Sequence, residues 1–424
     1  MFELTGGRPL RGSLKVPGDK SISHRALLMG ALAPGTSRIT GLSTGQDVAH
    51  TAAAVHALGA LLEGGDRITG GSGHLHPSNA PVDVGNSGTT MRLLSGICAR
   101  FPWSTVLAGD ASIARRPMDR VAIPLRLMGA AVEGEPGDGG MAGTFPPLTI
   151  AGGGLHGIDY RLPVASAQVK GAVLLAGLGA DGETMVRESV LTRAHTEEML
   201  TTFGADVEVS EDRLTTTVRP SELQPFEIDI PGDPSQAAFW AVAATLVPHS
   251  EVTIEPVYIG QARACFLDVL RRMGADIEVE MVSGTEARLH VRHTQLHGTD
   301  VGGSEIPGLV DEIPVLAVAA ATADGVTTFR DAGELRVKES DRIATVTAEL
   351  TALGAKVDPT GDGLVVTGAA PLSGGLVSSH GDHRLAMALA VAALVAEGTT
   401  RIEGWDAVAT SYPGFEEDLR RLWE

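Results

Sequence analysis

The hydrophobic positions of this chain follow one pattern that recurs six times. Each copy begins with a run of small, mostly apolar residues, passes a turn that contains Gly or Pro, and ends in a stretch rich in Thr, Val and Ile. Apolar side chains on nearly every face predict a buried helix, and the β-branched stretch predicts a strand. The six copies occupy residues 25–41, 91–109, 171–188, 237–255, 314–331 and 385–404. Their turns lie roughly 70 to 80 residues apart, which is longer than most solenoid repeats.

A second, amphipathic helix is predicted after each copy. In five cases it ends at a glycine, within "HALGALLE", "LRLMGAAVE", "LTTFGADVEV", "LRRMGADIEV" and "LTALGAKVD". Glycine there is typical of a left-handed helix stop, and the alternating residues beyond it predict another strand. The sixth, "FEEDLRRLWE", ends the sequence. Each unit is therefore expected to be helix, strand, helix, strand, with a short strand leading into the next buried helix.

Two nearly identical segments predict where the chain passes from one domain to the other: "VPGDKSISH" at 16–24 and "IPGDPSQAA" at 230–238. We expect an α/β fold with two domains of three repeats each. Domain 1 would comprise residues 1–16, which hold the N-terminal strand, plus 232–424; domain 2 would comprise 17–231; and the hinge crossings would lie near 16–19 and 230–233. Two crossings at Pro-Gly favour a hinge. The alternative is that Pro-Gly-Asp is only common turn chemistry.

Composition narrows the class of partner. The 424 residues are 43% hydrophobic and 20% charged, and the formal net charge of -19 argues against nucleic acid or an anionic membrane as a general partner. Two cysteines, Cys98 and Cys265, are too few for a disulfide framework or a zinc cluster. The sequence shows neither an N-terminal apolar segment of the signal type nor an apolar run that could span a bilayer. We therefore expect a soluble, cytoplasmic protein, which binds any anion locally.

Cations stand at or near the starts of the buried helices, where the helix dipole favours anions instead. These cations are Lys20 with Arg25, Arg92, Lys170, and Arg384 beside His383; the amphipathic helices add Arg115, Arg116, Arg193, Lys338 and Arg342. Singly, each is most simply a solvated surface charge. Asn86, Ser87, Ser166 and Ser235 are most simply helix caps. Equivalent ends of equivalent helices point to one side, however, so the cations of a domain would gather around an anion. We expect phosphate and carboxylate groups as ligands.

Carboxylates complete this set. Asp311 and Glu312 precede the fifth buried helix, and Glu339 lies between Lys338 and Arg342. Asp311 is equally well interpreted as a helix cap and Glu339 as a first-turn acid that suits the dipole. Beside cations, both carboxylates could also act as acid and base.

The chain resembles the enolpyruvyl transferases. The resemblance lies in "PGDKSISHR", "GNSGTTMRLL", "RPM", "SAQVK", "TRAHTEEML", "PGDPSQAAF", "DEIPVLAVAA", "ELRVKESDRI" and "DHRLAM", which occur in family order. It implies two inside-out α/β domains, with buried parallel helices, that close on the substrates. It also implies transfer of the enolpyruvyl group of phosphoenolpyruvate to the 5-hydroxyl of shikimate 3-phosphate, on the shikimate pathway to chorismate, without metal or organic cofactor and as a monomer.

The resemblance assigns roles to individual residues. Shikimate 3-phosphate would be held by Lys20, Ser21, Arg25, Ser166, Gln168, Arg193, Asp311 and Lys338. Phosphoenolpyruvate would be held by Lys20, Gly88, Arg116, Gln168, Arg342 and Arg384. Asp311 would handle the hydroxyl proton, and Glu339 with Lys338 the methylene proton, with Lys20 also catalytic. Because Gly88 matches the small residue of glyphosate-sensitive relatives, sensitivity to glyphosate is implied.

Departures and rivals bear on these roles. Thr410 stands where many members have a Lys, so one cation on phosphoenolpyruvate is missing, and Glu334 stands where others have Asn.

The sister enzymes that act on UDP-N-acetylglucosamine carry a reactive Cys in the loop equivalent to "GDASIARRPM" and an Asn after the first Lys; here the loop has no Cys, and Ser21 follows Lys20. A nucleic-acid-binding module or RNA-end cyclase would need a basic surface or a nucleotide site. An inactive scaffold is disfavoured by the intact motifs.

Overall fold

The computed structural model describes residues 1–137, 140–369 and 371–423. The chain folds into two units. The terminal unit comprises Met1–Asp19 and Pro231–Glu424, and the central unit comprises Lys20–Ile230. The chain therefore leaves the terminal unit after Asp19 and returns to it after Ile230. The predicted domain boundaries and hinge crossings stay predictions.

The elements follow in chain order. The terminal unit begins with β1 (Phe2–Thr5) and β2 (Arg11–Leu14). The central unit contains α1 (Lys20–Leu32), β3 (Gly35–Thr40), α2 (Gln46–Ala57), β4 (Leu61–Glu63), β5 (Arg67–Gly70), β6 (Val82–Asp83), α3 (Gly88–Cys98), β7 (Ser104–Ala108), α4 (Ala111–Ala114), α5 (Asp119–Leu127), β8 (Ala131–Gly137), β9 (Met141–Ala151), β10 (Asp159–Arg161), α6 (Ala167–Gly177), β11 (Thr184–Arg187), α7 (His195–Thr202), β12 (Val207–Val209), β13 (Thr215–Val218) and β14 (Glu227–Asp229). The terminal unit resumes with α8 (Pro234–Leu246), β15 (Glu251–Tyr258), α9 (Phe266–Arg272), β16 (Asp276–Met281), β17 (Glu286–Arg292), β18 (Asp300–Val301), α10 (Ile313–Thr322), β19 (Val326–Phe329), α11 (Arg342–Ala352), β20 (Lys356–Pro359), β21 (Leu364–Thr367), β22 (Leu376–Ser378), α12 (His383–Val395), β23 (Thr399–Glu403) and α13 (Phe415–Leu422).

All six apolar runs form helices that are buried on nearly every side, as predicted: α1, α3, α6, α8, α10 and α12. Small residues let these helices approach closely. A Cβ at Gly96 of α3 would overlap the carbonyl oxygen of Ala172 in α6, so only glycine fits there. Alanine, valine and leucine dominate the core of each unit. No helix in the described part of the chain combines the length and apolar character needed to cross a bilayer.

The five predicted glycine stops are confirmed. Gly59, Gly129, Gly204, Gly274 and Gly354 follow the amphipathic helices with φ of 105°, 102°, 87°, 95° and 93°. In this left-handed region a side chain would be strained, whereas glycine is not.

Five of the six sheets have four strands in the same order, and the sixth has three. In each sheet, the strand after the buried helix pairs in parallel with a short leading strand: the pairs are β14 with β3, β6 with β7, β10 with β11, β2 with β15, β18 with β19, and β22 with β23. The four-stranded sheets are completed by an antiparallel hairpin, as in β4 and β5. The sequence predicted one strand of that hairpin, and the second is an addition.

Three of the sheets are completed by a strand from a distant part of the chain. β14, at the end of the central unit, pairs with β3 near its beginning. β2 pairs with β15, and β1 pairs with β23 in the sheet that has no trailing hairpin. The helices are thus enclosed by strands, which confirms the predicted inside-out α/β repeats.

Candidate functional site

In the terminal unit, Arg342 joins the starts of two buried helices. Its guanidinium is buried and donates from Nε to Asp382 at 2.8 Å, from Nη2 to Glu339 at 2.8 Å and from Nη1 to Asp311 at 3.4 Å. Asp382 caps α12, and Asp311 lies just before α10. Burial alone would lower the pKa of Arg342, but the attraction of these three carboxylates outweighs burial and raises it. The side chain therefore stays charged and holds the three carboxylates together.

Arg263 makes the equivalent connection between α8 and α10. It bonds to Asp233 and Ser235, at the start of α8, and lies 3.6 Å from a carboxylate oxygen of Glu312, which precedes α10. Together with the bonds of Arg342, these contacts place the N-termini of α8, α10 and α12 at one end of the unit.

Asp311 and Glu339 remain accessible above the buried Arg342. Their side chains are 27% and 25% exposed, whereas the guanidinium beneath them is 1% exposed. Lys338 stands beside them, 3.5 Å from Glu334 and with its side chain 28% exposed. Burial lowers the pKa of Lys338, although the carboxylates of Glu334, Asp311 and Glu339 oppose the shift. Two carboxylates and an ammonium group with a lowered pKa form a set that can move protons.

Arg384 is a buried cation whose Nε and Nη1 have no hydrogen-bond partner among the described residues. It lies in the first turn of α12, and the Asp382 cap accepts its backbone N–H. Gln236, in the first turn of α8, is likewise buried with both amide atoms unpartnered within the described ranges. Buried polar groups normally have partners, so both side chains point to an anionic or polar ligand. Sequence reasoning assigned no role to Gln236, although "PGDPSQ" placed it at a helix start.

In the central unit, a chain of hydroxyl groups joins the starts of α1 and α3. His24 Nδ1 lies 2.6 Å from Thr51 Oγ1, and Thr51 Oγ1 lies 2.6 Å from Thr90 Oγ1. Thr90 then donates to Ser87 Oγ at 2.7 Å, and Ser87 caps α3. Burial lowers the pKa of His24 to about 3, so the imidazole is neutral at physiological pH.

Gln168 connects α6 to α3. Its Nε2 donates to Thr89 Oγ1 at 2.9 Å, and its Oε1 accepts a hydrogen bond of 2.7 Å from Arg92 Nη1. Ser166 caps α6 by accepting the N–H of Val169. The starts of α1, α3 and α6 therefore also lie at one end of their unit.

Two cations of the α1 start are held by neighbouring side chains. Lys20, the first residue of α1, lies 2.9 Å from the carboxylate of Asp47. Arg25 is buried and donates to Thr196 Oγ1 at 2.7 Å and to the carbonyl of Ser21 at 3.0 Å. Both side chains are therefore oriented by contacts within the central unit.

Lys170 is neutralised inside the unit. Its Nζ lies 2.6 Å from Glu188 and 2.7 Å from Glu197, and all three side chains are buried. Thr192 donates to the other oxygen of Glu188, and the half-buried Arg193 follows it in the chain. Lys170 was one of the cations predicted at helix starts, but its charge is balanced by the two buried glutamates of this cluster.

Gly88 opens α3 beneath two guanidinium groups. A Cβ at this position would lie 2.9 Å from Arg92 Nη1 and 3.2 Å from Arg116 Nη1. Arg116 is oriented by a hydrogen bond of 3.2 Å from its Nη2 to Ser112 Oγ. The backbone amides of the α3 start and these cations form a site to which an anion can bind closely.

The predicted site residues fall into two sets. The central unit holds Lys20, Ser21, Arg25, Gly88, Arg116, Ser166, Gln168 and Arg193. The terminal unit holds Asp311, Lys338, Glu339, Arg342 and Arg384, and of these Asp311 and Glu339 are bonded to Arg342. Thr410 ends a short 3-10 helix, Trp405–Thr410, and is buried. Within the described ranges, no group of three or more His, Cys, Asp or Glu side chains is arranged to hold a metal ion.

Comparison with solved structures identifies the fold. The enolpyruvyl transferase NikO of Streptomyces tendae is similar with a TM-score of 0.79 at 20% identity, over 99% of this chain and 96% of that one. A likeness at that identity shows the fold alone, which is the fold of an enolpyruvyl transferase. The EPSP synthase of Acinetobacter baumannii is similar with a TM-score of 0.86 at 41% identity, over 99% of this chain and 97% of that one.

The family follows from sequence. A profile described as EPSP synthase (3-phosphoshikimate 1-carboxyvinyltransferase) matches residues 4–419. The 3-phosphoshikimate 1-carboxyvinyltransferase of Brevibacillus brevis is 47% identical over 432 aligned positions, which cover 100% of both chains. The enzyme of that name from Bacillus thuringiensis subsp. konkukian is 46% identical over 421 positions, 97% of each chain. The chain belongs to the EPSP synthase family, which confirms the predicted resemblance.

Proposed function

We propose that this chain transfers the 1-carboxyvinyl group of phosphoenolpyruvate to the 5-hydroxyl of shikimate 3-phosphate and releases phosphate. This is the step of the shikimate pathway that leads to chorismate and the aromatic amino acids. Membership of the family along the whole chain supports the reaction. The observation that carries the chemistry is the pair of accessible carboxylates, Asp311 and Glu339, bound to one buried guanidinium with Lys338 beside them.

The reaction is an addition followed by an elimination. The 5-hydroxyl oxygen forms a bond to C2 of phosphoenolpyruvate while its proton leaves and another proton is added to the methylene carbon. The resulting tetrahedral intermediate loses a proton from the new methyl group, the double bond reforms, and the C2–O bond to phosphate breaks. We assign the hydroxyl proton to Asp311 and the methylene proton to Glu339 with Lys338. A lowered pKa suits Lys338 to proton transfer, because the ammonium gives up its proton more readily.

Anion binding is assigned to the cations at the helix starts. For phosphoenolpyruvate we propose Lys20, Gly88, Arg116, Gln168, Arg342 and Arg384. In the terminal unit, Arg384 is the better supported candidate for anion binding, because its buried Nε and Nη1 have no hydrogen-bond partner in the described part of the chain. Arg342 already binds three carboxylates, so it would contribute mainly by holding Asp311 and Glu339 in position.

Shikimate 3-phosphate is assigned to Lys20, Ser21, Arg25, Ser166, Gln168, Arg193, Asp311 and Lys338. Several of these side chains are already oriented: Arg25 by Thr196, and Gln168 by Thr89 and Arg92. Donors fixed in advance stabilise developing negative charge without a cost of reorganisation during the reaction.

We further propose that the two units are the two domains, with hinge crossings near 16–19 and 230–233, and that the protein works as a cytoplasmic monomer. The division of the fold after Asp19 and after Ile230 supports the first part.

The test is phosphate release from phosphoenolpyruvate by the purified protein. Release is expected with shikimate 3-phosphate and not with UDP-N-acetylglucosamine. The reverse result would move the chain to the sister activity, and no release with either acceptor would favour the inactive-scaffold alternative. Chelators should leave the rate unchanged, because the proposed chemistry uses side chains alone.

A further inference from the structure

Arg263 lies outside the motifs of the sequence resemblance, yet it is among the largest fully buried side chains. Its Nε donates to the carboxylate of Asp19 at 2.9 Å, and its other nitrogens bond to Asp233 and Ser235. Glu312 lies 3.6 Å away. One guanidinium therefore contacts three buried acidic residues and a hydroxyl group that come from three separate parts of the sequence.

Two of these acidic residues belong to the matched Pro-Gly-Asp segments. Asp19 is the last residue before the chain leaves the terminal unit, and Asp233 follows soon after its return. The two segments also pair through their backbones, because the N–H of Asp19 donates to the carbonyl of Pro231 at 2.7 Å and the N–H of Asp233 donates to that of Pro17 at 2.8 Å. The segments are thus more than separate turns: they form one small antiparallel joint, with Arg263 bound to both of its aspartates.

We propose that Arg263 is a positioning residue for the reaction: it fixes the joint and the start of α10 relative to each other. This inference rests on the proposed function. Asp19 is bonded covalently to Lys20, and Glu312 follows Asp311 directly, so one side chain restrains the backbone next to a proposed anion ligand and next to a proposed base. The side chains that Arg263 bonds or pairs with, which are Asp19, Asp233, Ser235 and Glu312, are not among the groups to which proton transfer is assigned.

Arginine is suited to this role because it presents several donors in a rigid plane and remains charged when buried. Burial by itself would lower the pKa of Arg263, but the attraction of Asp19, Asp233 and Glu312 raises it instead. A lysine would keep the charge but, as a single point of contact, could not bind both aspartates and Ser235 in one plane.

The first measurement compares Arg263→Lys with Arg271→Lys. Arg271 is exposed, and its ion pair is a 3.7 Å contact with Asp268 one helical turn away. We expect Arg263→Lys to lower kcat about tenfold with little change in either KM, which is the scale of a misplacement of roughly half an ångström in reacting groups. Arg271→Lys should behave as the parent protein. Equal kcat values for Arg263→Lys and the parent would overturn the proposal.

The second measurement does not depend on activity. Lys15 is exposed and lies just before the joint, so trypsin can cut after it once the joint opens. In Arg263→Lys we expect cleavage after Lys15 to accelerate at least about tenfold under native conditions, since proteolysis follows the population of the open form. Cleavage after Lys356, in a strand that Arg263 does not contact, is the internal reference and should keep its rate. Equal acceleration at both sites would indicate general destabilisation and overturn the proposal.

Asp19→Asn provides a second route if Arg263→Lys does not fold, because it removes one charged acceptor of the same guanidinium. It should reproduce both effects, and unchanged cleavage after Lys15 together with unchanged kcat would count against the joint. A parent protein that releases no phosphate would refute the proposed function, whereas the cleavage after Lys15 would still decide whether Arg263 holds the joint.

Discussion

Replacement of Gly88 by alanine tests the anion site at the start of α3. The added Cβ would lie 2.9 Å from Arg92 Nη1 and 3.2 Å from Arg116 Nη1. Since unstrained contacts with carbon lie near 3.5 Å, the two guanidinium groups would have to move by about 0.6 and 0.3 Å. Alanine is a better helix former than glycine, so the fold itself should not be weakened.

The expected loss follows from these displacements. A misplacement of about 1 Å costs on the order of a hundredfold in rate, so a shift of about half that size should lower kcat/KM for phosphoenolpyruvate roughly tenfold, or about 1.4 kcal/mol. The KM for shikimate 3-phosphate should change much less, because Gly88 is proposed to bind phosphoenolpyruvate and not the acceptor. Inhibition by glyphosate is expected for the parent protein at millimolar concentration and should weaken in the variant, as the small residue at this position implies.

Steady-state kinetics with each substrate varied in turn would measure these effects. Gly73→Ala is the matched control, because a Cβ there meets no atom within 4 Å. If Gly88→Ala kept the parent kcat/KM for phosphoenolpyruvate within a factor of about two, the inference that the α3 start binds this anion would be wrong. A parent enzyme indifferent to millimolar glyphosate would contradict the second expectation.

Three further predictions concern buried polar groups. Because the pKa of His24 falls from 6.5 to about 3 on folding, the unfolded state binds the extra proton between those values, and stability decreases as the pH is lowered through that window. Urea unfolding should show that His24→Gln removes about 1.4 kcal/mol per pH unit from the slope of the unfolding free energy between pH 4 and 6. The control His74→Gln, at an exposed position, should not change this slope. Equal slopes for His24→Gln and the parent protein would contradict the lowered pKa of His24. Lys170→Met leaves two buried glutamates without their ammonium partner, so it should lower the unfolding free energy by about 3–5 kcal/mol in the same assay. A loss of less than about 1 kcal/mol would contradict this expectation. Arg384→Ala should lower kcat at least about a hundredfold, or ~2.7–4 kcal/mol, while the exposed Arg401→Ala should not; near-normal turnover would mean that Arg384 does not bind substrate.

The parts of the fold that could be predicted are those encoded locally. A helix apolar on all sides, such as α12, must be buried whatever surrounds it, and a glycine such as Gly354 stops a helix through its own backbone. Strand partners are not encoded in this way. The second strand of each hairpin, and the pairing of β14 with β3, depend on residues elsewhere in the chain, so the repeat pattern alone did not reveal them.

The same distinction applies to the site. Charge type and position at a helix start could be predicted, but which cation is neutralised internally could not. In the sequence Lys170 is indistinguishable from the other cations, and only its contacts with Glu188 and Glu197 set it apart. Arg263 gave no signal at all, because its acceptor Asp19 lies 244 residues away. The role of each cation therefore depends on tertiary contacts that composition and spacing do not contain.

The pairing of β2 with β15 also constrains how the protein is made on the ribosome. About 240 residues separate the two strands in the sequence, and the separation between β1 and β23 is larger still. At a synthesis rate of roughly 5–20 residues per second, β2 of the nascent chain stays without β15 for on the order of 10 to 50 seconds, and β1 stays without β23 for longer. Both early strands are only four residues long, a length that limits wrong pairing with other chains during that delay.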